Sequence, residues 1–313
     1  MKIVYLDAFA IGQEIDLQRF SALGDFIAYD RTAPEAILER VKDANIILTN
    51  KCAFSADMLA QLPQLKYIGV TATGYNIIDV AAARKQGITV TNAQGYSTKS
   101  VAQHVFAQIL TFTNRLSEYT SPTAWVESPD WCYYQHPFQE LAGKTLGIIG
   151  FGEIGQKVAQ LATAFEMEVV LYASERNRGK QLAHRVLERS DFLQESDIIS
   201  LHSPLTTETK ELVNADFLGQ MKKSALLINT SRGGLVDENA LAKALHEGQI
   251  AGAYLDVLTT EPPLRDNSLL TAPNCLLSPH IAWASLEARQ RLMDIVFQNL
   301  RAFLDGKPVG VVY

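Results

Sequence analysis

Cysteine is scarce: Cys52, Cys132 and Cys275 are the only three in 313 residues, odd in number and far apart. They match neither a disulfide framework nor a zinc or redox spacing, so buried reduced thiols are expected and no metal site is. No apolar run approaches the ~18 residues of a membrane helix. The net charge is -6 with no lysine or arginine tract, which leaves no footprint for nucleic acid or an anionic membrane. A single local arginine can still hold an anionic substrate. Low-complexity linkers and short-period repeats are missing as well, and the opening "MKIVYLDAFA" meets Asp7 too early for a signal peptide. These absences predict a soluble cytoplasmic protein, and the length suggests roughly two domains.

What is present is alternation. "KIVYL", "ANIIL", "KYIGV" and "ITVTN" form one set of short β-rich runs. "KTLGIIG", "EVVLYA", "DIISLH", "SALLINT", "IAGAYLDV" and "CLLSPH" form a second. Separated by amphipathic stretches, they predict parallel sheets built from βαβ units, hence two α/β domains. Val101, Val105, Ile109, Phe112 and Leu116 recur at helical spacing, predicting a helix over 99–118. A second long helix runs from "SLEARQ" to near Gly306. Between the first helix and residue 144 lies a segment rich in proline and aromatics, read as an ordered surface excursion. If the two long helices connect the domains, one domain comprises 1–98 with 284–313, and 99–283 is inserted into it.

Within "GIIGFGEIGQ", Gly150, Gly152 and Gly155 make a G-x-G-x-x-G between a buried strand pattern and a helical one. In that setting Gly150 permits the tight turn and Gly152 lets a pyrophosphate approach. Gly155 packs helix on strand, and the helix N-terminus faces the phosphates. Alone, such a motif can be a structural turn; its placement favours a dinucleotide. About 20 residues on, where NAD-binding units carry a ribose-binding acid, this chain has Ala173, Ser174, Glu175 and Arg176. Ser174 with Arg176 suits a 2′-phosphate, while Glu175 suits an unphosphorylated ribose. NAD and NADP therefore stay close to parity.

Three later segments bring chemistry to the ends of strands. "NTSRGGLVDE" carries Arg232, "LDVLTTEPP" carries Asp256 and Glu261, and "SPHIAW" carries His280 and Trp283. Jointly they suit reduction of a 2-oxo acid. A guanidinium grips a carboxylate with a planar fork. An imidazolium gives a proton to the carbonyl oxygen as hydride arrives. A glutamate on the other ring nitrogen would orient the ring and favour its charged form. Singly, each has a plainer role as a surface ion pair, a core histidine or a loop acid. Asp237, ahead of "ENALAKAL", reads as a helix N-cap.

In order along nearly the whole chain, "ATGYNIIDV", "GIIGFGEIG", "LHSPLTTETK", "NTSRGGLVDE", "LDVLTTEPP" and "SPHIAW" resemble the D-isomer-specific 2-hydroxyacid dehydrogenases. The resemblance implies two Rossmann-like or flavodoxin-like domains, with the dinucleotide domain inserted into the substrate domain. It implies Arg232, Glu261 and His280 as the catalytic trio. It also implies that the backbone of Ala72, Thr73 and Gly74 receives the substrate carboxylate. Cofactor contacts are implied from Thr98, Glu153, Ile154, His202, Pro204, Thr230, Ser231 and Asp256. Within the family, "PDWCYYQHPFQELAGKTLGIIGFG" and "PHIAWASLEARQRLM" are most similar to bacterial glycerate dehydrogenases, also called hydroxypyruvate reductases. Two positions depart from the family habit. Ala173 replaces the ribose-binding acid, and Gln103 replaces a glutamate with an expected effect only on helix packing or capping.

The family's habits lean to NAD(H) and to a two-fold dimer, for which Trp125, Trp131, Tyr133 and Tyr134 offer apolar surface. Hydroxypyruvate is expected to be reduced best, with Trp283 walling the C3 side of the substrate or else packing only at an interface. Transcriptional corepressors share the fold and the trio, so the alternative is an NAD(H)-sensing regulator. Formate dehydrogenases carry glutamine where Glu261 stands, which argues against that assignment; a phosphite dehydrogenase is a further rival.

Overall fold

A computed structural model describes residues 1–174, 177, 179 and 181–312. The chain forms two compact units, Met1–Ser97 with Trp283–Tyr313, and Thr98–Ala282. The first contains β1 (Lys2–Tyr5), β2 (Asp25–Ala28), α1 (Ile37–Val41), β3 (Ile46–Thr49), α2 (Ala56–Ala60), β4 (Tyr67–Val70), α3 (Val80–Lys85) and β5 (Thr89–Thr91). The second runs α4 (Thr98–Asn114), α5 (Pro122–Val126), β6 (Thr145–Ile149), α6 (Glu153–Ala164), β7 (Glu168–Tyr172), β8 (Arg185–Leu187), α7 (Arg189–Glu195) and β9 (Ile198–Leu201). It continues with α8 (Ala215–Gln220), β10 (Leu226–Asn229), α9 (Glu238–His246), β11 (Gly252–Leu255) and β12 (Cys275–Leu277). Helix α10 (Leu286–Leu304) then belongs to the first unit.

In the first unit the five strands lie in the order β2-β1-β3-β4-β5, all parallel. Both faces are covered, which is why β3 and β4 read as unbroken apolar runs. On one face Ile3, Tyr5, Ile46, Leu48 and Tyr67 meet Ala288, Leu292, Val296 and Leu300 of α10, spaced one turn apart. Ser285 caps that helix by accepting from the N–H of Ala288, and Gly306 leaves it at φ +73.

The second unit holds seven parallel strands in the order β12-β11-β10-β9-β6-β7-β8. Chain order reverses between β6 and β9, so a crevice opens outside their carboxyl ends, where such sheets bind ligands. One face is covered by Ala102, Val105, Phe106 and Ile109 of α4 with Val158, Ala159 and Ala162 of α6. The opposite face is covered by Phe192 of α7, Phe217 of α8 and Leu241 of α9. Asp237 caps α9 through the N–H of Ala240.

Several local expectations change. Strands β2 and β8 are absent from the sequence reading; each is a short edge strand paired on one side only, with no fully buried residue to make an apolar pattern. Helix α4 stops at Asn114 rather than Glu118, because Arg115 turns left-handed at φ +49 and Leu116 is 70% exposed. Gln103 lies exposed on α4, well inside the helix, so neither packing nor capping accounts for it. Cys132 is exposed, not buried, because it sits on the aromatic excursion. There Tyr119 accepts from the N–H groups of Gln135 and His136, and Trp125 donates to the carbonyl of Trp131. Trp131 itself is 87% exposed. Among the described residues no helix is long and apolar enough to cross a membrane.

Candidate active site

The glycine loop follows β6 at the reversal of strand order. Gly150 stands at φ +96, and a Cβ there would lie 2.5 Å from the backbone of His202 and Ser203. A Cβ on Gly155 would overlap the Gly150 carbonyl oxygen. These two glycines are demanded by the fold itself. Gly152 differs: a Cβ there meets no atom within 4 Å, so its lack of a side chain serves the space in front of the loop. It starts α6 without a side-chain cap, leaving first-turn N–H groups directed at that space. Two buried hydroxyl oxygens at neighbouring strand ends, Ser203 Oγ and Thr230 Oγ1, also have no partner among the described residues. Open space, unspent donors and a helix N-terminus fit a dinucleotide pyrophosphate.

Around this loop the expected contact residues are held by their backbones. His202 donates its N–H to the Ile149 carbonyl, and its ring Nε2 lies 2.9 Å from Ser200 Oγ. Burial pushes its pKa down to about 4, so the ring is neutral. The Pro204 carbonyl accepts from Thr209, and the Ser203 carbonyl accepts from Ser231 Oγ at 2.6 Å. Thr98 Oγ1 donates to Glu153 Oε2 at 3.2 Å, linking the starts of α4 and α6, and Ile154 is half-buried against the core. Past β7, Ala173 is buried and Ser174 exposed, the Ser174 N–H being held by Asn177 Oδ1 at 2.7 Å. Glu175 and Arg176 lie outside the described residues.

Arg232 follows β10 in a turn clasped by fully buried Asn229. The Asn229 amide donates to the Arg232 carbonyl at 2.9 Å and its oxygen accepts from the Ser231 N–H at 3.0 Å. A Cβ on Gly233 would collide with the backbone of Leu258 and Thr259, so the turn is pressed against the loop after β11. Arg232 is exposed, and among the described residues no carboxylate pairs with it. Its guanidinium donates to the neighbouring Ser231 carbonyl at 2.7 Å.

The loop after β11 carries Glu261, whose Oε1 accepts from the Leu258 N–H at 3.0 Å. Its Oε2 lies 2.7 Å from His280 Nδ1. A carboxylate can only accept, so Nδ1 carries the proton and Nε2 is left for chemistry. Both side chains are about one-third exposed (34% and 32%), open enough for a small molecule to reach. His280 stands at φ +53, a left-handed conformation uncommon outside glycine. Asp256, at the end of β11, accounts for it. Its carbonyl accepts from the His280 N–H, and its buried carboxylate accepts from Ser278 Oγ and from the N–H groups of Ile281 and Ala282. Burial alone would raise the Asp256 pKa, but bonds from His104, Ser278, Ala282 and Ile281 outweigh it and hold the carboxyl below its usual value.

In the other unit the Ala72 and Thr73 carbonyls are taken by the Ala93 N–H and the Asn92 amide, and Thr73 Oγ1 donates to the Ala93 carbonyl. The N–H groups of Ala72, Thr73 and Gly74 donate to no oxygen among the described residues, which leaves them available to an anion. Trp283 packs against the core of that unit with its ring edge to Tyr96, centroids 6.3 Å apart. The sequence reading missed Ser203, Asn229 and Ser278. Each is a small polar residue where a strand meets its loop, a signal too common to single out.

Known proteins give this arrangement its context. The family model for the NAD binding domain of D-isomer specific 2-hydroxyacid dehydrogenases matches residues 106–282. A hydroxypyruvate reductase from Blautia hydrogenotrophica is 41% identical over 100% of this chain and 99% of its own length. A glycerate dehydrogenase from Methylorubrum extorquens is 41% identical over 99% of this chain and 98% of its own. Among solved structures, an acyclic imino acid reductase in complex with NADPH and D-Arg matches with a TM-score of 0.87, 31% identity and full coverage of both chains. The chain belongs to the D-isomer specific 2-hydroxyacid dehydrogenase family and is an oxidoreductase of that class.

Proposed function

We propose that the enzyme reduces hydroxypyruvate to D-glycerate best, with glyoxylate to glycolate second. The observation that carries the reading is the Glu261–His280 pair, which leaves Nε2 for chemistry in the same unit as an arginine with no acidic partner among the described residues. The bound nicotinamide supplies the hydride. His280, oriented through Nδ1 by Glu261, donates the Nε2 proton to the carbonyl oxygen and recovers it in the reverse direction. Arg232 binds the substrate through its guanidinium fork and polarises the carbonyl. The free N–H groups at Ala72, Thr73 and Gly74 receive the carboxylate.

In this reading unit 98–282 takes the cofactor. Thr98, Glu153, Ile154, Ser174, Arg176, His202, Pro204, Thr230, Ser231 and Asp256 contribute to its binding, with NAD(H) favoured slightly over NADP(H). The neutral ribose-end residue Ala173 supports neither strongly, and the imino acid reductase above was solved with NADPH. The assembly is a homodimer in the cytoplasm, supported by the exposed Trp125, Trp131 and Tyr134. An indole N–H from Trp283 facing a C3 hydroxyl would favour hydroxypyruvate over pyruvate, since a buried unpaired donor costs ~1–3 kcal/mol.

Steady-state rates with hydroxypyruvate, glyoxylate and pyruvate, each with NADH and NADPH, test the reading. The expected order is hydroxypyruvate, glyoxylate, pyruvate, and Trp283→Phe narrows the ratio of the first to the last. A preference for phenylpyruvate would refute the small-substrate assignment. No turnover with any 2-oxo acid would favour a cofactor-sensing regulator instead.

A further inference from the structure

Helix α4 touches the acid/base loop at two points one turn apart. Ser100 Oγ donates to the Ala282 carbonyl at 2.7 Å. His104 Nε2 lies 3.3 Å from Ser278 Oγ and 3.5 Å from Asp256 Oδ1. Residues four apart share a helix face, so both contacts come from one side of α4. We propose that His104 is a positioning residue for His280, acting through Ser278 and Asp256; the inference rests on His280 being the acid/base.

Proton bookkeeping determines how His104 must act. Ser278 has one hydroxyl proton, and it goes to Asp256 Oδ1. The Ser278 oxygen can then only accept from His104, so Nε2 carries hydrogen whether the ring is neutral or charged. His104 thereby locks the Ser278 hydroxyl onto Asp256. The carboxylate, with no solvent exposure, is left to hold the backbone of Ile281 and Ala282. Those bonds, with the one from the His280 N–H to the Asp256 carbonyl, surround a histidine kept at φ +53. Such a conformation persists only where its neighbours over-determine it. Loss of the outermost donor lets the Ser278 hydroxyl rotate and loosens the set.

Two ionisable groups lie against His104: Tyr254 of β11, whose ring meets the imidazole edge-on at 6.2 Å, and Asp256 just after that strand. The residue after β12 is neutral Ser278, and α4 itself carries neutral Ser100 and Gln108 one turn to either side. Among the described residues Asp256 is the carboxylate within ion-pair range of the ring.

The test compares His104→Leu, which removes the donor, with His104→Gln, whose amide nitrogen reaches the Nε2 position and donates without ionising. With hydroxypyruvate and NADH, His104→Leu is expected to lower kcat about 10-fold, less than the ~10²-fold that a 1 Å misplacement can cost. KM should change little, and the pH profile of the reduction rate should change as the Glu261–His280 pair loosens. His104→Gln should restore both. A His104→Leu enzyme with wild-type kcat and pH profile overturns the proposal, and so does a His104→Gln enzyme as impaired as His104→Leu. Ring-nitrogen NMR of the cofactor-free wild type gives a readout independent of folding in the variants and of turnover. Neutral His104 should carry its proton on Nε2, and an Nδ1–H ring overturns the assignment. If no 2-oxo acid is turned over, the functional reading fails, while the NMR result still decides where His104 directs its proton.

Discussion

Asp256 holds His280 through the main chain: its carbonyl accepts the His280 N–H at 2.8 Å, and its carboxylate catches the next two N–H groups at 3.0 and 2.8 Å. An amide cannot accept on both of its atoms. Asp256→Asn should therefore strand a buried backbone donor, at a cost of about 1–3 kcal/mol. It should also lower kcat, because His280 loses its restraint. Thermal unfolding and steady-state kinetics of the same preparation check this; unchanged values for both would contradict the clamp.

His280→Ala removes the proton donor and should reduce kcat/KM by ~10²-fold or more. Glu261→Gln should be milder. The ring keeps its Nε2 but loses the carboxylate that orients it, so kcat should fall while KM changes little. Near-normal turnover in a folded His280→Ala enzyme would end the assignment.

Gly150 and Gly152 should separate fold from binding. Gly150→Ala places a methyl against the His202 backbone at a positive φ, so it should destabilise by more than ~1 kcal/mol. Gly152→Ala meets no protein atom, so melting should be unchanged while the KM for the cofactor rises. Calorimetry and cofactor titration distinguish these outcomes, and equal effects of the two substitutions would refute the division of roles.

Folding should also be acid-sensitive through His202. Its pKa of about 4 in the folded chain is depressed by burial from an ordinary value near 6.5. A depressed group contributes stability in full above its unfolded pKa and loses it as pH falls toward the folded value. Unfolding free energy should therefore drop between roughly pH 6.5 and 4. In His202→Gln the drop over that window should be smaller; an identical pH dependence would show that the ring is not buried neutral.

Much was decided by sequence alone. Buried parallel strands read as apolar runs because helices cover both faces, and α10 shows its buried stripe at Ala288, Leu292, Val296 and Leu300 because packing repeats with the helical turn. Arg232, Glu261 and His280 stood out because their residue types and placement after strands suit one chemistry. Edge strands β2 and β8 did not show, since an edge pairs on one side and needs little apolar pattern. The early end of α4 was hidden too, because nothing local marks Arg115 for a left-handed turn. Tertiary structure alone decided the partners. Only folding brings Glu261 Oε2 to His280 Nδ1, 19 residues away, and His104 to Ser278 across 174. Hydrogen bonds of that span depend on strand order and on which helix crosses which strand end, and no local pattern in a chain encodes those distances.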